Sequence, residues 1–142
     1  MFRVCLQHIL YFPFKTRLKA LLKLPKFREM LNHEFHRPHN DAYMCDVYDS
    51  QAWKELFGSV VYPNNRMGLT FCVDAIPAFA EKGTSLKPGV LMNLSLPPSE
   101  RGKAEYMHLW FIMPTSIKGI DQSKYYEFLT KWELQDLHLT GT

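Results

Sequence analysis

The sequence predicts a mixed α/β (α+β) fold, in which a three-strand antiparallel meander and a following helix are preceded by a basic helical segment. Three observations carry that expectation. Apolar runs rich in β-formers recur at MGLTFCV (67–73), GVLMNLSL (89–96) and EYMHLWFIMP (105–114), each bounded by turn residues. A stretch with helical spacing, SKYYEFLTKWELQDL (123–137), follows them. The positive charge is gathered ahead of them: residues 1–41 hold 8 Lys/Arg against 3 Asp/Glu, a balance of +5, while the other 101 residues hold 9 against 11. At 142 residues with 46% apolar and 14% aromatic side chains, the chain can bury a core, which argues against wholesale disorder.

The elements follow in order. Residues 15–31, KTRLKALLKLPKFREML, space Leu18, Leu21, Leu22, Phe27 and Leu31 close to a helical period. Pro25 interrupts them, predicting two short helices or one kinked helix. Lys15, Arg17, Lys19, Lys23, Lys26 and Arg28 lie among these apolar positions and are the candidate contacts to a polyanion. Residues 36–49 mix Pro, Asn, Asp and aromatics without period and predict an ordered loop. Ser50 is placed to cap a short helix through QAWKELF, which Gly58 would end. Pro63, Asn64 and Asn65 form a turn before the first strand, Lys87 and Pro88 a turn before the second, and Pro97 and Pro98 close that second run. The expected division is a lead-in over 1–60 and a core over 61–142.

Three cysteines, Cys5, Cys45 and Cys72, are odd in number and widely spaced, which argues against a disulfide framework and for a reducing compartment. No apolar run approaches the ~20 residues of a membrane span, and no cleavage site follows the apolar opening. A soluble, intracellular protein with no membrane partner is expected. His33, His36, His39, Asp41, Cys45 and Asp46 contain zinc-ligand types, but Pro38 prevents one helix from presenting all three histidines, so a polar loop is the simpler reading. Trp53, Trp110 and Trp132 sit among apolar neighbours and are expected in the core rather than stacked on bases.

Asp74 ends the first strand run, and around it the sequence resembles a known family. NNRMGLTFCVDAIPAF (64–79), SLKP (85–88), NLSLPP (93–98) and EYMHLWFIMPTSIKG (105–119) form an ordered series with YYEFLTKWELQDLHLTG (125–141). Upstream, YFPFKTRLKALL (11–22) and DSQAWKELF (49–57) extend it. Collinearly from about residue 11 to 141, this series resembles the transposase of CACTA-type (En/Spm) DNA transposons. The resemblance implies a ribonuclease H-like core, with Asp74 matching the first catalytic and metal-binding acid. It also implies Mg2+ or Mn2+ in the intact enzyme, DNA as substrate and nuclear residence.

The sequence departs from the family pattern in several places. Phe71 and Cys72 lengthen the spacing from the Gly-Leu pair to the acid, and Ala75 replaces a common glycine. The cysteine pairs that usually precede the Tyr-Phe-Pro element are missing, and Thr142 is reached before the later acids. Glu81, Glu100, Glu105, Asp121, Glu127, Glu133 and Asp136 have no sequence-level reason to converge on Asp74. One carboxylate does not organise two metals, so the chain is expected to bind no metal tightly and to be inactive alone. The expected partners are DNA, held weakly and without sequence preference, and a full-length transposase or a second copy of the chain. The alternatives are a non-catalytic module binding DNA or transposase, and a decayed transposon remnant.

Overall fold

The computed structural model describes residues 9–38, 42–57, 67–77, 85–115 and 122–135. Within them run β1 (Leu10–Tyr11), α1 (Phe14–Leu21), α2 (Pro25–Met30), α3 (His33–His36), a 3-10 turn (Val47–Asp49) and α4 (Gln51–Phe57). Then come β2 (Leu69–Val73), β3 (Ile76–Pro77), β4 (Ser85–Asn93), α5 (Pro98–Arg101), β5 (His108–Pro114) and α6 (Gln122–Leu129). A π-helical turn at Thr130–Leu134 continues α6. The chain is α+β, and its five strands form one antiparallel sheet in the order β1-β5-β4-β2, with β3 also paired to β4. Among the described residues, no helix is long and apolar enough to cross a membrane.

The helical lead-in breaks where Pro25 requires it. Proline cannot donate to the preceding turn but suits the first position of a new helix, and α2 begins on it. Ser50 caps α4 as expected, its hydroxyl oxygen accepting the Trp53 amide at 3.1 Å.

The three strand runs are all present, with shifted ends. β4 starts four residues earlier than expected, so Lys87 and Pro88 lie inside a strand rather than in a turn. Pro88 is opposite Ile112, beside a bulge at Gly89/Val90, which is where a sheet tolerates a residue without an amide donor. At the other end Leu94, Ser95 and Leu96 leave the strand in a turn, and β5 begins only at His108. The expected loop at 36–49 carries the end of α3 and the 3-10 turn.

The chain divides into two compact units. One comprises Met1–Leu18, Phe71–Leu91 and His108–Thr142, and the other comprises Lys19–Thr70 and Met92–Met107. In the first, Phe14, Leu91, Trp110, Phe111, Met113 and Leu129 are buried. Phe111 is central: Tyr125 meets it edge-on at 5.6 Å, Tyr126 stacks at 5.7 Å, and Phe71 contacts it at 5.8 Å. Its ring also covers Gly89, the residue opposite it on β4, where a β-carbon would lie only 2.3 Å from two ring atoms. In the second unit, Leu21, Phe27, Tyr48, Trp53 and Leu96 are buried. Two of the three tryptophans are thus core residues. Trp132 is not: it is 58% exposed. The π turn, with its i→i+5 bonding, changes the phase of the helix after Leu129, and Glu133 is the residue buried there.

Candidate functional site

Asp74 follows the last residue of β2 and is exposed, and its Oδ1 accepts the Ala75 amide at 2.7 Å. Two acids of the same unit have other partners. Glu127 pairs with Lys131 on the helix surface, and the Glu133 carboxylate is buried. Among the described residues, no three His, Cys, Asp or Glu side chains gather where they could hold a metal ion. Glu81, Asp121 and Asp136 lie outside the described residues, as do His39 and Asp41 of the histidine-rich loop. His36 and Cys45 are exposed, and the His33 Nε2 is 3.8 Å from an Asp46 oxygen.

The candidate DNA contacts are on the lead-in helices. Lys15, Arg17 and Lys19 belong to α1, Lys23 to the turn after it, and Lys26 and Arg28 to α2. All are exposed except Lys15, which is half-buried.

Glu133 is the polar centre that sequence reasoning missed. Its Oε1 accepts the backbone amide of Lys15 at 3.0 Å, and its Oε2 accepts the indole N–H of Trp110 at 2.6 Å. Burial, together with a hydrogen bond to this carboxylate, holds the Tyr11 phenol well above its usual range. Lys15 is the second residue of α1, so the carboxylate caps a helix whose start has no acidic residue of its own. The signal available in the sequence was only an acid one residue beyond an apolar position, too weak to read. Nearby, His108 Nε2 is 2.9 Å from the Phe12 carbonyl oxygen, and burial lowers the pKa of that imidazole.

The second unit collects the motif residues. The Trp53 ring, from DSQAWKELF, lies so close to Gly68 that a β-carbon there would be 2.5 Å from it. The Gly68 amide donates to the Ser95 hydroxyl oxygen at 2.9 Å, and the Gly68 carbonyl accepts from Leu94 at 2.8 Å. Ser95 and Leu94 come from NLSLPP, where the Asn93 side chain accepts the Ser95 amide at 2.8 Å and the Leu94 carbonyl accepts the Tyr48 hydroxyl at 3.0 Å.

Two ion pairs surround this core. Arg101 grips Asp46 through both terminal nitrogens, at 2.6 and 2.9 Å, and Arg37 grips Asp49 in the same two-pronged way. The Arg37 pairing holds the Asp49 carboxyl well below the usual carboxylate range. Both guanidiniums lie over the Tyr48 ring, at 5.4 and 5.5 Å, and burial pushes the Tyr48 phenol up to about 12. The two ion pairs hold the 3-10 turn in place, while two buried atoms of the arrangement, Arg37 Nε and Asn93 Nδ2, have no hydrogen-bond partner. No protein-family model, no curated protein and no solved structure matches the chain.

Proposed function

We propose that the chain is part of a CACTA-type transposase with a ribonuclease H-like core, and that Asp74 corresponds to the first acid of its catalytic centre. The observation that carries this reading is the sheet order. β4 lies between β2 and β5, α6 follows β5, and Asp74 leaves the C-terminal end of β2. The first half of a ribonuclease H-like core has a strand–strand–strand–helix order with its first acid at that strand end, to which this chain adds the two-residue β3 and the four-residue α5. Gly68 adds support: it lies against the Trp53 ring and its amide donates to Ser95, so three stretches that carry the resemblance meet at one glycine.

The parent reaction hydrolyses a DNA phosphodiester and joins the freed end elsewhere, with two divalent ions supporting in-line displacement. Mg2+ or Mn2+ would supply charge stabilisation there, but further carboxylates must converge with the first. The described residues around Asp74 do not fit such a pair of ions. What this chain contributes is DNA contact through Lys15, Arg17, Lys19, Lys23, Lys26 and Arg28, in the nucleus where the substrate is.

Incubation with DNA and either ion is expected to leave the DNA intact. Binding should be weak, indifferent to sequence, and fall with salt at a log–log slope of about −0.9 per phosphate contact. Cleavage that disappears in Asp74→Ala would contradict the incomplete centre. Salt-independent binding, or binding that survives charge reversal at these six positions, would remove the DNA contact from the reading.

A further inference from the structure

We propose that Tyr11, Phe128 and Trp132 form a stacking platform for the unpaired bases of single-stranded DNA. This inference rests on the DNA-binding reading above and names the form of DNA. Phe128 and Trp132 are 57% and 58% exposed, and their rings are nearly parallel, 8° apart with centroids at 6.0 Å. Trp132 also meets the Tyr11 ring at 5.7 Å and 55°. Three neighbouring aromatic rings, two of them more than half in water, mark an interaction surface rather than scattered apolar exposure. The π turn accounts for the geometry: it buries Glu133, which bonds Trp110, while the neighbouring Trp132 is turned outward.

Charge identifies the occupant. Lys124 and Lys131 lie exposed on the same helical stretch, and the Lys131–Glu127 pair is more than half exposed on both sides, so it exchanges readily with solvent or a phosphate. The first turns of α1 bring Lys15 and Arg17, and the Lys15 amide is bonded to Glu133, next in sequence to Trp132. The described residues of this unit hold Lys15, Arg17, Lys87, Lys124 and Lys131 against Asp74, Glu127 and Glu133, and the Glu133 carboxylate is buried. Ring faces bordered by cations suit a strand that alternates bases with phosphates. Duplex DNA keeps its base faces stacked inward, so only an unpaired strand can use the platform.

The test is titration of the whole chain with a short oligo(dT) and with duplex DNA, read by tryptophan fluorescence and by anisotropy of labelled DNA. Trp53 and Trp110 are buried, so quenching by oligo(dT) is expected to come from Trp132 and to vanish in Trp132→Phe. Trp132→Ala and Phe128→Ala should each weaken oligo(dT) binding about tenfold and leave duplex binding within about twofold. Trp132→Phe, which keeps a ring, should recover most of the affinity. Unchanged thermal transitions would show that these exposed positions do not perturb folding.

Equal losses on both DNA forms, or no loss on either, would overturn the platform. If duplex binds and Trp132 is indifferent, the platform fails while the proposed function stands; if neither form binds, both fail. Sedimentation covers the competing occupant. A dimer that Trp132→Ala dissociates without changing oligo(dT) affinity would make this surface an interface between copies and sink the single-strand assignment.

Discussion

Replacing Glu133 with alanine should be one of the most damaging single changes on the helical side of the sheet. The carboxylate is 6% exposed and accepts from the Lys15 amide and the Trp110 indole. Loss of a helix cap costs ~1 kcal/mol. Leaving the indole N–H of Trp110, itself 1% exposed, without an acceptor adds ~2 kcal/mol. The expected loss is therefore ~3 kcal/mol, or a Tm about 10 °C lower for a chain of this size. Thermal and urea unfolding read the total, and a double-mutant cycle with Trp110→Phe isolates the indole bond. In the Trp110→Phe background, Glu133→Ala should cost ~2 kcal/mol less, because the orphaned donor is already gone and only the helix cap is lost. A Tm change under about 2 °C, or strict additivity in the cycle, would refute the view that this carboxylate ties α1 to β5.

Two further outcomes concern the buried histidines and the edge of the sheet. Burial lowers the His108 pKa below the ordinary 6.5, so the neutral imidazole contributes stability that is present above that value and is lost as pH falls through it. Tm should decline from pH 7 to 5, and His108→Gln should flatten part of the decline; an unchanged slope would remove His108 as a cause. His33, lowered likewise by burial, accounts for a further share of the same sign. The outer edge of β2 has no partner strand among the described residues, and LTFCV carries neither charge nor proline to blunt it. Sedimentation across a concentration series should show self-association that Thr70→Lys reduces, whereas a strict monomer would argue that this edge is covered.

The parts of the fold readable from sequence are those governed by short-range chemistry. Pro25 dictates the break between α1 and α2, Ser50 caps α4, and three β-rich runs separated by turn residues become β2, β4 and β5. Asp74 at a strand end was legible for the same reason. What was not legible depends on distant partners. Pro88 resembles a turn until the bulge beside it is seen. β1 is two residues long and exists only because β5 pairs with it. Glu133 and Trp132 exchange their expected environments because a π turn shifts the helical phase, and nothing in YYEFLTKWEL announces that shift. Motif residues such as Gly68 and Ser95 stand out by resemblance alone; the Trp53 ring against Gly68, and the Gly68 amide's bond to the Ser95 hydroxyl, supply a physical reason for them.

The bond between Lys15 and Glu133 spans 118 residues, and the contact between Phe12 and His108 spans 96. During synthesis, β1 and the start of α1 leave the ribosome long before the segments that hold them. At about 5–20 residues per second, the wait for Glu133 is on the order of ten seconds. For most of that time Leu10, Phe12 and Phe14 have no β5 to lie against, and throughout it the amide of Lys15 lacks the Glu133 carboxylate. Non-local closure of this kind also slows refolding, since the entropy of joining distant segments is spent before their contacts return it. The last part of the sheet to be made is what secures the first.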